Sequence, residues 1–185
     1  MMECWFTGLL LDLRQRQVAG CSWNRALLLR TFTREHLVPQ SSQVLDDLDP
    51  LLQSRNVVPA SLLVNSMIGN APLGVKVLLR DMLMAMHLDS GRMTMQRADA
   101  VAGQIRGFLA EWKLHGRYIW DDGRVDQRSG GRVAFFSTAN PAIPITAQEL
   151  DQRNRKLRTL RSIEETFVAE HFGAADLSQD LSMSI

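Results

Sequence analysis

Eight cations fall between positions 92 and 132 of this chain: Arg92, Arg97, Arg106, Lys113, Arg117, Arg124, Arg128 and Arg132. Five acids stand among them, Asp99, Glu111, Asp121, Asp122 and Asp126, which leaves a local excess of three positive charges. A guanidinium is a planar fork of donors that fits phosphate and carboxylate oxygens. The chemistry this cluster points to is anion recognition, with the phosphates of a nucleic acid as the first candidate. Arginine outnumbers lysine 18 to 3 over the whole chain, a bias that a GC-rich genome also produces.

Residues for catalysis are harder to assemble. His36, His87, His115 and His171 are scattered and form no HExxH spacing. There is no Walker loop, no GxGxxG and no GxSxG elbow. Asp121, Asp122 and Asp126 lack the spacing of a calcium loop and read as turn formers. Cys21 sits beside Ser22 with no identifiable base. Two cysteines, Cys4 and Cys21, make neither a disulfide framework nor a zinc set and read as buried free thiols. An enzyme whose site is dispersed in sequence stays open as a third reading, because catalytic groups converge in space and not along the chain.

Composition bounds the class. A chain of 185 residues suits one domain or a pair of small ones. Apolar content of 45% with 22% charge is ordinary for a globular protein. A net charge of +1 supplies no global field, so any electrostatic attraction is local. The first residues carry no basic region of a signal peptide. The run Trp5–Leu13 is too short to span a bilayer and contains Asp12. The expectation is a cytoplasmic protein with no membrane contact, no cofactor and no metal.

The elements that would position the arginines follow from periodicity. Cys4–Leu13 reads as a buried strand or a first helix. Ser22 is positioned to cap a helix over Trp23–Leu37, stopped by Pro39. Ser42, Asp49-Pro50 and Pro59 each look like the opening of a further short helix, the last ending at Gly69. Pro72 opens a strongly periodic helix with Val75, Leu78, Leu79, Met82, Leu83 and Met86 on one stripe. Met84 falls off that stripe, so exposure there would mark an interface.

The next helix is predicted over Met95–His115, capped by Thr94 or Ser90 and closed by Gly116. Ala98, Val101, Ala102, Ile105, Phe108, Leu109 and Trp112 form its apolar stripe. Gly103 and Gly107 lie off or beside it. Each costs about 1 kcal/mol against alanine, which suggests close approach by another backbone or ligand. A β-hairpin then pairs Arg117–Trp120 with Arg132–Phe136, or Arg124–Arg128 forms a middle strand. Thr146–Glu149 is a capping box that starts a helix running to Phe172, with Leu157, Leu160, Ile163, Phe167 and Val168 as its buried side. Residues 174–185 read as a frayed tail.

The fold class this gives is mainly α with a small β-hairpin, an α+β arrangement. An N-terminal helical unit (1–70) adjoins a winged-helix-like unit (72–138), and the helix over 146–173 packs on both. The leading functional expectation is a small non-enzymatic regulatory or accessory protein that binds nucleic acid. Arg97, Gln104, Arg106, Arg117, Arg124, Arg128 and Arg132 are the candidate contacts, with Thr94 and Gln96 at the helix start as additions. The alternative is a protein-interaction adaptor or inhibitor, docking through Met84 or through the basic block Arg153, Arg155 and Arg158, with a homodimer compatible with the last helix. That block precedes Glu164, Glu165 and Glu170, an order opposite to the preference of the helix dipole.

Overall fold

The computed structural model describes residues 2–13, 24–38, 55–114, 117–119 and 146–171. Among these residues the protein is mostly helical with three short antiparallel strand pairings, an α+β arrangement. Two compact units are present, Met1–Trp112 and Lys113–Ile185, and their boundary falls inside the 72–138 segment. The short helices expected at Ser42 and Asp49-Pro50, the strand over 132–136, the middle strand over 124–128, Cys21 and the tail from 174 lie outside the described residues.

The first unit opens with a hairpin of β1 (Met2–Glu3) and β2 (Leu10–Leu11). This settles Cys4–Leu13 as neither a long strand nor a helix. Gly8 takes φ +68°, a backbone shape that side chains with a Cβ resist, and its N–H donates to the Cys4 carbonyl at 2.9 Å. The turn tucks Cys4, Phe6 and Leu9 into the core, with Cys4 a free thiol.

Helix α1 covers only Arg25–Arg30, capped by Asn24 and not by Ser22. Asn24 Oδ1 accepts the Leu27 N–H at 2.8 Å. The expected helix over Trp23–Leu37 fails at Thr31, whose hydroxyl donates to the Leu27 carbonyl at 2.9 Å while its backbone turns extended. From there Phe32–His36 forms strand β3, antiparallel to β4 (Val57–Ser61) in the register Phe32↔Ser61 to His36↔Val57. Aromatic and β-branched residues favour a pleated surface, and the pairing outweighs the helical period that Ala26–Phe32 suggests. Pro59 therefore lies within a strand and opens no helix. It has no N–H to donate, and its carbonyl instead accepts the Trp5 N–H at 2.8 Å.

Helix α2 (Leu62–Ile68) follows directly, with Ser61 Oγ accepting the Val64 N–H and Gly69 closing the end at φ +56°. Helix α3 (Leu73–Ala85) is buried on every side through Leu73–Val77 and only on one side beyond, where Leu78, Met82 and Met86 are half-exposed. Into this apolar first half the sequence places Lys76, which is 1% exposed. Its ammonium donates to Glu35 Oε1 of β3 at 2.6 Å and to the His36 carbonyl. Burial holds the lysine below its ordinary value of 10.5, while Glu35 pulls the other way. A 3-10 turn (Ser90–Arg92) leads to α4 (Met95–Glu111), capped by Thr94 Oγ1 on the Arg97 N–H.

The second unit holds β5 (Lys113–Leu114), β6 (Arg117–Tyr118) and α5 (Ala147–His171). The structure shows a pairing that the sequence reading does not anticipate, while the expected partner Arg132–Phe136 lies outside the described residues. Arg117–Tyr118 pairs back onto Lys113–Leu114, with Lys113↔Tyr118 and Leu114↔Arg117. This is possible because α4 stops at Glu111 with Trp112 as its cap, four residues before the predicted end at His115. The capping box of α5 is present in full, with the Thr146 N–H on Glu149 Oε2 at 2.9 Å and the Glu149 N–H on Thr146 Oγ1 at 3.2 Å. Arg153, Leu160 and Phe167 are buried, whereas Val168, expected inside, is 44% exposed.

Removing one partner of the buried pair leaves an uncompensated charge. Lys76→Ala is expected to lower unfolding free energy by about 3–5 kcal/mol, while Lys76→Met with Glu35→Leu stays near the wild type. Urea denaturation of the three proteins checks both values.

Candidate nucleic-acid interface

Helix α4 buries Ala98, Val101, Ala102, Ile105 and Leu109, all at 3% exposure or less. These positions fill one side of a 3.6-residue helix, so the rest of its circumference faces outward. Gln96, Arg97, Ala100, Gly103, Gln104, Arg106, Gly107 and Ala110 are all exposed. Arg97 and Arg106 are nine residues apart, two and a half turns, which puts them on opposite flanks roughly 13 Å apart along the axis. Between them runs a ridge of Ala100, Gly103, Gly107 and Ala110. Nothing described comes within 4 Å of where a Cβ would stand at Gly103 or Gly107.

Helix α1 supplies a residue that the reading of the sequence missed. Arg25 forms an ion pair with Asp99 on α4, both side chains a little under half exposed. The acid nearest the outward arginines is thereby neutralised by a cation 74 residues away. No local pattern could have signalled this, because the pairing is made by the packing of two helices. Lys76 and Glu35 were missed for the same reason, although a lone lysine within Leu73–Leu79 is a visible anomaly in an apolar run. A third such contact stacks the Arg80 guanidinium over the Trp5 ring at 4.9 Å from its centre.

Arg97, Gln104 and Arg106 thus share the outer surface of α4, with Gln96 in its first turn. The Thr94 hydroxyl is occupied as the helix cap. Arg117 lies in β6 opposite Leu114, while Arg124, Arg128 and Arg132 lie outside the described residues. Met84 is 42% exposed on α3, with its sulfur 3.4 Å from the point a Cβ on Gly8 would occupy. In α5 Arg153 is buried, Arg155 is exposed and bonded to Asp151 at 3.2 Å, and Arg158 is exposed.

Among the described residues no group of three or more His, Cys, Asp or Glu side chains is placed to hold a metal ion. No described helix is long and apolar enough to cross a membrane. Compared with protein-family models, with curated proteins and with solved structures, the chain matches none.

Two predictions follow from this geometry. With open space around both glycines, Gly103→Ala and Gly107→Ala are each expected to stabilise the protein by roughly 0.5–1 kcal/mol, read from thermal and denaturant unfolding. In the hairpin, burial pushes the Tyr118 hydroxyl up to about 12, with the Lys113 ammonium 4.6 Å from the ring centre. Tyr118 is the chain's one tyrosine, so absorbance of the phenolate reads it alone. The folded protein keeps this proton longer than the unfolded chain. The associated stability is therefore whole below pH 10 and lost as the pH rises towards 12. A phenolate titration midpoint near 10 in the folded protein would show the ring to be solvated.

Proposed function

We propose that the protein is a non-enzymatic accessory or regulatory factor that binds nucleic acid through α4. In this reading the ridge Ala100–Ala110 enters a groove, and Arg97 and Arg106 reach phosphates on either side of it. Gln96 and Gln104 are the polar side chains available to base edges. The winged-helix comparison belongs to the same proposal: α3, a turn, α4 and then a hairpin follow in that order along the chain. Arg117, Arg124, Arg128 and Arg132 would add phosphate contacts beyond the helix.

The observation that supports this reading most is the open ridge between two outward arginines. Two glycines in a helix interior weaken it, and no described part of the protein uses the space they leave. A slim helix flanked by cations is the shape a groove admits. The pairing of Asp99 with Arg25 adds to it, since an uncompensated acid there would repel phosphate. A second reading, a protein adaptor, is favoured by one observation: Met84 is a large apolar side chain left 42% exposed.

The test is fluorescence anisotropy with labelled duplex and single-stranded probes at low and moderate salt. Wild-type affinity is expected to fall steeply with salt, by counterion release. Arg97→Ala and Arg106→Ala are each expected to weaken binding and to flatten the salt slope by about one. Gly103→Leu is expected to abolish binding while leaving the fold intact, because the bulky side chain fills the ridge. Absence of binding at low salt, or equal binding by all four proteins, would sink the nucleic-acid reading, and loss of a protein partner on Met84→Glu would then support the adaptor.

A further inference from the structure

We propose that α5 pairs antiparallel with α5 of a second copy of this chain, through the face that carries Leu150, Leu157 and Val168. Leu150 and Val168 are 45% and 44% exposed, large apolar side chains left in solvent among the mainly polar exposed residues of α5. They are eighteen residues apart, five whole turns at 3.6 residues each, so they lie on one line along the helix. Leu157, half-buried, and Arg161, exposed, fall on the same line between them. The residues that the fold itself buries, Arg153, Leu160 and Phe167, occupy the neighbouring line.

The charge pattern selects the occupant and its direction. Every formal charge from 152 to 162 is positive, and every one from 163 to 170 is negative. A parallel copy would set cations on cations and acids on acids along the whole helix. An antiparallel copy sets the basic half of each helix on the acidic half of the other.

The register follows from two exposed residues on one flank of the apolar line. Arg158 and Glu165 are seven residues apart, and in an antiparallel pair equivalent flanks meet. Placing Arg158 opposite Glu165 of the second copy makes the reciprocal contact by symmetry. The two-fold axis then passes between Arg161 and Ser162, which brings the two Arg161 side chains, each already engaged within its own copy, side by side at the centre, and Val168 drops between Leu150 and Leu157 of the second copy. Arg155 is held away from this face by its own-helix bond to Asp151 at 3.2 Å.

Sedimentation equilibrium on the full chain over a concentration series, without nucleic acid, tests this apart from the binding reading above. Wild type is expected to dimerise, more weakly at high salt. Arg158→Glu and Glu165→Arg, each alone, turn two attractions into two repulsions and are expected to raise the dimer dissociation constant about tenfold. The double variant R158E/E165R restores the pairing and is expected to return it to the wild-type value. Both positions are exposed, and circular dichroism confirms that the helix is kept. A monomer at every concentration, a single variant that dimerises as wild type, or a double variant no better than the singles would overturn the proposal.

Discussion

A lysine ammonium enclosed in protein is the constraint on which the first unit depends. Lys76 is 1% exposed, and a bare ammonium in apolar surroundings is expensive. Glu35 and the His36 carbonyl meet it, and both belong to β3. The strand must therefore present Glu35 inward and lie against the first turns of α3. Because side chains alternate along a strand, a slip of one residue would offer Arg34 or His36 instead and leave two buried charges unmatched. Breaking the pair is costly, whereas replacing both partners by apolar side chains is close to neutral. The rest follows: β4 pairs with β3, α2 grows from the end of β4, and α3 leads through the 3-10 turn to α4.

The helices were the legible part of this chain. Long stripes such as Val75–Leu83 and Ala98–Leu109 repeat over several turns, and caps such as Thr94, Thr146–Glu149 and Gly69 mark their ends. The strands were not. β3 and β4 are five residues each, too short for a period of two to stand out from a helical one, and Pro59 carried a helix-start signal into a strand. Their identity is set by pairing across more than twenty positions of sequence, which no local window contains. The pairing of Lys113–Leu114 with Arg117–Tyr118 escapes the sequence reading because that reading places the end of the helical period at Gly116, whereas the helix stops at Glu111. Of the candidate site, Arg97, Gln104 and Arg106 were readable as residues off an apolar stripe. The neutralising Arg25 was not, because only the packing of α1 against α4 brings it to Asp99.

Helix α4 shows a conflict between local preference and the burial it achieves. Its inner side is closed off from solvent, with Ala98, Val101 and Ile105 wholly buried. Its outer side keeps two glycines that weaken the helix by about 1 kcal/mol each and fill no close contact among the described residues. Places where a sequence departs from its own local rules without a packing reason are where function is to be sought. A glycine there gives a surface shape, a slim ridge between two guanidinium groups, that leucine would erase. Stability and shape pull against each other at these positions, and the sequence favours shape.

Helix α5 presents the same kind of conflict in charge. A helix carries partial positive charge at its start and negative at its end, so acids first and bases last is the stable order. Beyond Glu149 and Asp151, α5 runs the other way, with bases from Arg153 to Arg161 and acids from Glu164 to Glu170. Glu149 suits the first turn, whereas Glu170 in the last turn weakens that end slightly. Beside an antiparallel copy the balance changes, since each basic half then lies next to both the acidic half and the negative dipole end of its neighbour. The charge order that is unfavourable for the isolated helix becomes favourable for the pair. The same reversal disfavours a parallel copy, because direction is written into the sign change at residues 162–163.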